Sequence, residues 1–434
     1  MIFSWTFIAL LLSYTLLLFF LPAIPGLGYS FVIIIIAWLI DMILVLKEPK
    51  LTAERIIANP IYQHEEIEIK VVLSNPLARS IRVRFKDEPP YEIQLKNKSN
   101  PPVTTLKPKT NHSFKYVIVA PKRGGFSFGS VNVRYSGFLN LFSYQYQIPL
   151  PQQLIVYPNL SKIGDYRFHQ LQASEVSGLH RQRLFSMSGE FAQLREFVAG
   201  DDFRKVNWKV TAHFGKPVVN EFEPEKDQNV FLCFDTGRML FDQNDTTQSR
   251  MDYILDSALL LAYNIVEHGD VIGALGFNSR VDRYVPLGKG KSQIQWMTSR
   301  LYDMEAVMTE SDYREAFRFL QSRVNKRSLL FVYTDISDAE SSKDLINYLK
   351  IFSRHHLIVC ILLKKDYLDT VIERPIQDES SAFLKGVALE LQAERVNLKR
   401  DLSFHGIKVL EVTPDNIHRV VVEHYLFLKH KGLF

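Results

Sequence analysis

Two aspartates stand where apolar runs end. Asp235 closes NVFLCFD (229–235), and Asp335 closes the run that starts at Ser328. If each run is a strand, each carboxylate sits at a strand's carboxyl end, outside which open α/β sheets bind ligands. Adjacent strands would bring both carboxylates into one crevice. Hard cations such as Mg²⁺ take oxygen ligands of this kind, so Asp235 and Asp335 are the candidate metal ligands. With Asp338 they could also serve a metal-dependent hydrolase, which would require a pocket of perturbed acids. Arg238, Asn278, Lys289 and Lys291 belong to loops expected near that crevice. Arg238, Lys289 and Lys291 could instead supply positive charge where a cation would sit. The loop Gly288-Lys289-Gly290-Lys291-Ser292 is not a P-loop, because position 285 is Val where that motif needs Gly. Its glycines and the following helix start could still cradle an anion.

A second group lies in GEFAQLREFVAGDDFRKVNWKVTAHFGKPVVNEFEPE (189–225). Asp201 or Asp202 can N-cap a helix starting near Phe203. Arg204 and Trp208 are four apart and would share a helix face. Arg195 lies upstream, within reach of pairing with Asp201. Two uses follow. These residues clamp an arm onto the domain that comes after, or they form a protein-binding surface, since Trp and Arg are enriched at interaction hot spots. No HExxH, Gly-x-Ser-x-Gly, GxGxxG or Cys/His cluster occurs. Cys233 and Cys360 lie in apolar runs and read as buried free thiols.

The elements that must position these residues can be read from pattern. Residues 60–157 alternate apolar and polar side chains in short runs (66–73, 81–85, 113–119, 131–135), punctuated by Pro and Gly pairs, as in an all-β sandwich. Residues 158–226 read as a linker arm. Residues 227–434 alternate strands with helices, which implies a mostly parallel sheet covered on both faces. The tight turn at Asn278-Ser279 makes the strands it joins antiparallel.

Charge divides the chain. Of 52 basic and 47 acidic residues, Asp41 alone falls within 1–46. Ile2–Leu21 and Tyr29–Leu46 are apolar runs separated by Pro22, Pro25 and Gly26, so residues 1–46 read as a transmembrane helix hairpin. Lys47, Lys50 and Arg55 follow the second run. By the positive-inside rule they place the N-terminus and the large C-terminal region in the cytoplasm. Asp41 marks a helix partner there, or reaches interfacial water. A formal net charge of +5 does not suggest a nucleic-acid binder.

The 227–434 pattern resembles a von Willebrand factor A domain, a Rossmann-like α/β sheet. That family's metal signature begins Asp-x-Ser-x-Ser. Here it reads Asp235-Thr236-Gly237-Arg238-Met239, without either serine, and loop 288–292 offers no match for the family's threonine. Asp335 matches its later Asp. Two of five ligands remain, so the resemblance implies a degenerate Mg²⁺ site. The 189–225 stretch resembles the signature of the bacterial domain-of-unknown-function family fifty-eight. It does so through Gly189-Glu190, Leu194-Arg195-Glu196, Gly200-Asp201, Arg204, Trp208, Ala212 and Glu221, with Phe197 for a Tyr and His213 for an Arg. That resemblance implies a hairpin in the bacterial inner membrane, a β region and an A-like domain. It also implies an adaptor, not an enzyme, acting with a MoxR-type AAA+ ATPase in assembly or activation of a client protein. A structural envelope protein is the third class that remains.

Overall fold

The computed structural model of the protein describes residues 2–3, 5–20, 27–47, 50–96, 104–137, 139, 141–158, 190–198, 203, 206–223, 227–241, 248–336, 339–364 and 366–434. The chain is mixed α/β, with several sheets, and divides into two units, Met1–Tyr157 and Pro158–Phe434.

In the first unit the period-2 runs become strands. Glu66–Ser74 buries Ile67, Ile69, Val71 and Leu73, while Ile81–Asp87 buries Ile81, Val83 and Phe85. Val131–Ser136 buries Val131, Val133 and Tyr135. Five-, four- and three-stranded sheets share this one apolar core. Alternation places one face of each strand inside, and that burial drives the fold.

Two helices precede the strands: α1 (Trp5–Phe20) and α2 (Leu27–Lys47). Among the described residues no helix is long and apolar enough to cross a membrane. This corrects the expected transmembrane hairpin over 1–46 and the two-span placement in the bacterial inner membrane. The physical reasons are specific. With 16 residues, α1 spans only about 24 Å of the ~30 Å hydrocarbon thickness. The C-terminal half of α2 is built into the β unit. Val45 is buried, and Trp38 and Met42 pack on the same core. Asp41 is fully buried and accepts hydrogen bonds from the backbone N–H groups of Leu139 (2.9 Å), Leu141 (3.1 Å) and Phe142 (3.1 Å). The charges expected to orient the chain are also engaged in the fold. Arg55 is buried and pairs with Asp87, its Nε 3.0 Å from a carboxylate oxygen. Lys50 lies over the Tyr146 ring.

In the second unit, Glu190–Glu196 and Val218–Glu223 form an antiparallel pair, with α3 (Trp208–Phe214) between them in sequence. Within the expected linker, residues 190–196, 208–214 and 218–223 thus carry regular structure. Then come β1 (Asn229–Asp235), α4 (Arg250–Glu267), β2 (Val271–Phe277), β3 (Val281–Gly288), α5 (Lys291–Leu301) and α6 (Tyr313–Gln321). They are followed by β4 (Ser328–Thr334), α7 (Ala339–Phe352), β5 (Leu357–Leu363), α8 (Asp366–Glu373), α9 (Glu379–Phe404), β6 (Lys408–Val412) and α10 (Ile417–Lys431). The sheet order is β3-β2-β1-β4-β5-β6, parallel except for the antiparallel β2–β3 pair.

Nearly every residue of the central strands is buried, and alternate side chains point to opposite faces, which splits the core in two. Val230, Leu232 and Phe234 of β1 face one cluster with residues of α4, α5 and α10. Phe231 and Cys233 face the other, with residues of α6, α7 and α9. Helices therefore cover both faces, and β1, β4 and β5 read as continuous apolar runs for that reason.

Candidate functional site

The chain leaves β1 for β2 on one side and later returns to β4 on the other. The strand order thus reverses between β1 and β4, and the crevice outside their carboxyl ends is the topological switch point. Asp235 ends β1, Asp335 follows β4, and those strands are neighbours. The two carboxylates stand at the carboxyl ends of neighbouring strands, and both are fully buried.

Their surroundings differ. Asp235 is held by neutral donors. One oxygen accepts from Ser311 Oγ (2.5 Å) and the Gly237 N–H (3.1 Å). The other accepts from Tyr313 OH (2.7 Å) and Thr334 Oγ1 (2.7 Å). These four bonds use the roughly four lone-pair positions that a carboxylate offers. Burial raises the Tyr313 phenol above its usual range, and the adjacent Asp235 charge adds to that, so the phenol stays a donor.

Asp335 is held by cations. One oxygen takes Arg395 Nη1 at 2.6 Å and the Ile336 N–H at 2.8 Å, and the other takes Arg250 Nη2 at 3.2 Å. Arg395 also bonds Glu411 through Nε (2.9 Å) and the carbonyls of Ile336 and Leu363. Burial alone would lower the Arg395 pKa. The charges and bonds of Asp335 and Glu411 outweigh burial and raise it, so the guanidinium is locked in its charged form.

This donor set does not fit Mg²⁺, which demands near-octahedral oxygen ligands. Asp235 has spent its acceptor positions on hydroxyls and a backbone N–H, and two guanidinium groups stand on Asp335. Among the described residues no group of three or more His, Cys, Asp or Glu is placed to hold a metal. Asp338 lies outside the described residues.

Of the basic groups expected at this site, Arg238 is near it and Lys289 is not. Lys289 pairs with Asp227, which precedes β1, and Gly288 pairs with Ile272 at the start of β2. The glycine–lysine loop therefore sits at the opposite end of the sheet from Asp235. Arg238 is near the crevice but pairs with Glu310 at 2.9 Å. Asn278 follows β2. Its side-chain amide donates to Thr236 Oγ1 (3.3 Å), and its carbonyl accepts from the Asp312 N–H (2.8 Å). The loop that reaches Asp235 is 307–313, not 288–292. It is fastened by bonds from the Val307 N–H to the Thr236 carbonyl and from the Arg238 N–H to the Thr309 carbonyl, both 2.8 Å.

Ser311, Tyr313, Thr334, Arg250 and Arg395 were not anticipated from the sequence. Arg395 had a signal: it shares the inward stripe Ala388–Arg395–Leu402 of a long helix, where a charge needs partners. Ser311 and Tyr313 had none, because their role depends on how a loop docks.

Asp201, Asp202 and Arg204 lie outside the described residues. The residues at which a helix starting near Phe203 would continue, 204 and 205, also lie outside the described ones; a helix at Trp208 is capped by Asn207, whose side chain accepts from the Val210 N–H. Trp208 is 65% exposed, and Arg195 donates to the Glu196 carbonyl at 3.2 Å.

Comparisons with known proteins give the following. The conserved hypothetical protein BatB from Bacteroides thetaiotaomicron matches with a TM-score of 0.33 at 12% identity, covering 46% of this chain and 98% of that one. An aerotolerance-related membrane protein from Bacteroides fragilis matches with a TM-score of 0.29 at 10% identity, over 47% and 98% of the two chains. The uncharacterized protein YeaD of Bacillus subtilis (strain 168) is 29% identical over 130 residues, 29% of this chain. The match spans about a third, 32%, of that relative's length. Residues 193–373, from the strand that carries Arg195 through α8, match the family described as Protein of unknown function DUF58.

Proposed function

We propose that this chain is a protein-interaction adaptor whose α/β unit is von Willebrand factor A-like, and that it works with a MoxR-type AAA+ ATPase in chaperone-like assembly or activation of a client. The observation that carries this is the state of the strand-end carboxylates. Asp235 is saturated by four protein donors, so it offers no free oxygen for general-base or metal chemistry. What faces outward is a rim of hydrogen-bond donors. The Arg250 side chain is 22% exposed and that of Arg238 42% exposed; Asp335 holds the first and Glu310 the second. A guanidinium is a planar, permanently charged group suited to meeting a partner's carboxylates and other polar groups. The sheet order, with one antiparallel strand at the β3 edge, supports the A-like assignment.

The test is affinity capture of the tagged full chain from lysate, with and without nucleotide, beside an Arg238→Glu/Arg250→Glu variant. The adaptor reading expects an AAA+ ATPase with the unaltered chain and its loss with the variant. Recovery of no AAA+ ATPase under either nucleotide condition overturns it.

A further inference from the structure

Most of helix α9 stands outside the domain core. Of its 26 residues only Ala388, Arg395 and Leu402 are buried. On another face Ala382, Gly386, Leu389, Ala393 and Val396 follow one another at the alternating four–three spacing of a coiled-coil seam, and all five are exposed. Leu389 is 46% and Val396 43% exposed, and Phe383 beside the seam is 72% exposed. Contiguous apolar surface of this kind on a folded protein marks an interaction site.

Gly386 adds a separate observation. Glycine inside a helix weakens it relative to alanine. Here a Cβ would meet nothing within 4 Å, so no group of this chain requires the glycine. Close approach by another helix would.

Charge selects the occupant. Lys385 and Glu390 flank the seam on opposite sides, five residues apart. In a parallel pair of identical helices, Lys385 of each copy meets Glu390 of the other, so two-fold symmetry forms the ion pair twice. An antiparallel pairing centred on Leu389 would set Glu390 against Glu390.

We infer that the exposed seam of α9 is the docking surface for a second copy of this chain, packed parallel about a two-fold axis. This does not rest on the adaptor reading, because it uses a different face and a different partner. Ultracentrifugation of the full chain should show a dimer. Lys385→Glu and Glu390→Lys should each weaken it by about tenfold, since the exchange replaces paired charges with like ones. The double exchange should restore it. Single-cysteine variants Ala382→Cys and Val396→Cys should each cross-link to themselves on mild oxidation, the native Cys233 and Cys360 being buried. Leu389→Asp, at an exposed position, should give a folded monomer by circular dichroism. A chain that is monomeric throughout, or a dimer indifferent to both charge exchanges, overturns the inference. So do cross-links that form only when the 382 and 396 variants are mixed.

Discussion

At the scale of single residues, Gly237 explains why the strand-end site departs from the metal signature that its Asp235 begins. A Cβ at Gly237 would lie 2.0 Å from Ser311 Oγ and 2.9 Å from the Thr309 carbonyl. The space that a serine would occupy at this position is filled by a hydroxyl from loop 307–313. Restoring the signature serine should therefore harm the protein. Gly237→Ser is expected to destabilise the α/β unit by about 1–3 kcal/mol, the usual cost of overpacking, and to leave it without Mg²⁺ affinity. Adding Ser311→Ala should recover part of the loss, because it removes the nearest clashing atom. Urea unfolding and calorimetry with Mg²⁺ would check both. A Gly237→Ser variant of unchanged stability, or one that binds Mg²⁺ tightly, would refute this account. The two aspartates were legible in the sequence because each ends an apolar run. The hydroxyl and guanidinium partners were not, because contacts across long sequence separations leave no local pattern, and that is why the expected lysines were the wrong cations.

At the scale of elements, α2 shows what composition alone conceals. Its apolar residues and its single Asp41 read as a span with an awkward charge. In the folded unit Asp41 organises the connection between strands Val131–Ser136 and Phe142–Ile148, accepting from three backbone N–H groups there. Gly137 is required at this joint, since a Cβ would come within 2.4 Å of the Asp41 carboxylate. Asp41→Ala removes the common acceptor and leaves buried donors without one, at about 1–3 kcal/mol for each unsatisfied group. The expected outcome is faster amide exchange at 139–142 and a lower melting temperature for the first unit, with Asp41→Asn intermediate because one amide oxygen remains. Unchanged exchange in Asp41→Ala would show that α2 is not fastened in this way. The strands Glu66–Ser74, Ile81–Asp87, Asn111–Val119 and Val131–Ser136 and most helices of the α/β unit were legible, since periods of two and 3.6 report burial on one face. The short strands Ile61–Tyr62 and Gln94–Leu95 were not, being too short to show a period.

At the scale of the whole molecule, the two units keep separate cores and differ in the titratable groups they bury. In the α/β unit, burial holds His356, His424 and His430 below the ordinary histidine value of 6.5, with neighbouring positive groups adding to it. Glu411 is lowered from 4.5: burial would raise it, but its bonds to Lys399 and Arg395 prevail. For each of these groups the unfolded chain takes up protons first as pH falls, so the stability it contributes is complete above the unfolded value and is lost below it. Tyrosines set the opposite limit. Burial raises Tyr116 and Tyr146 in the first unit and Tyr313 and Tyr425 in the second above 10, so their contribution holds below pH 10 and is lost as pH rises beyond it. Stability should therefore be greatest between about pH 6.5 and 10. Acidification should loosen the α/β unit first, because the histidine and Glu411 shifts all belong to it. Hydrogen exchange read by mass spectrometry from pH 7 to pH 4 should show peptides from 227–434 losing protection before those from 50–157. Protection in 227–434 that stays constant or grows over that range would contradict the assignment of these side chains as histidines held neutral by their surroundings and a paired carboxylate.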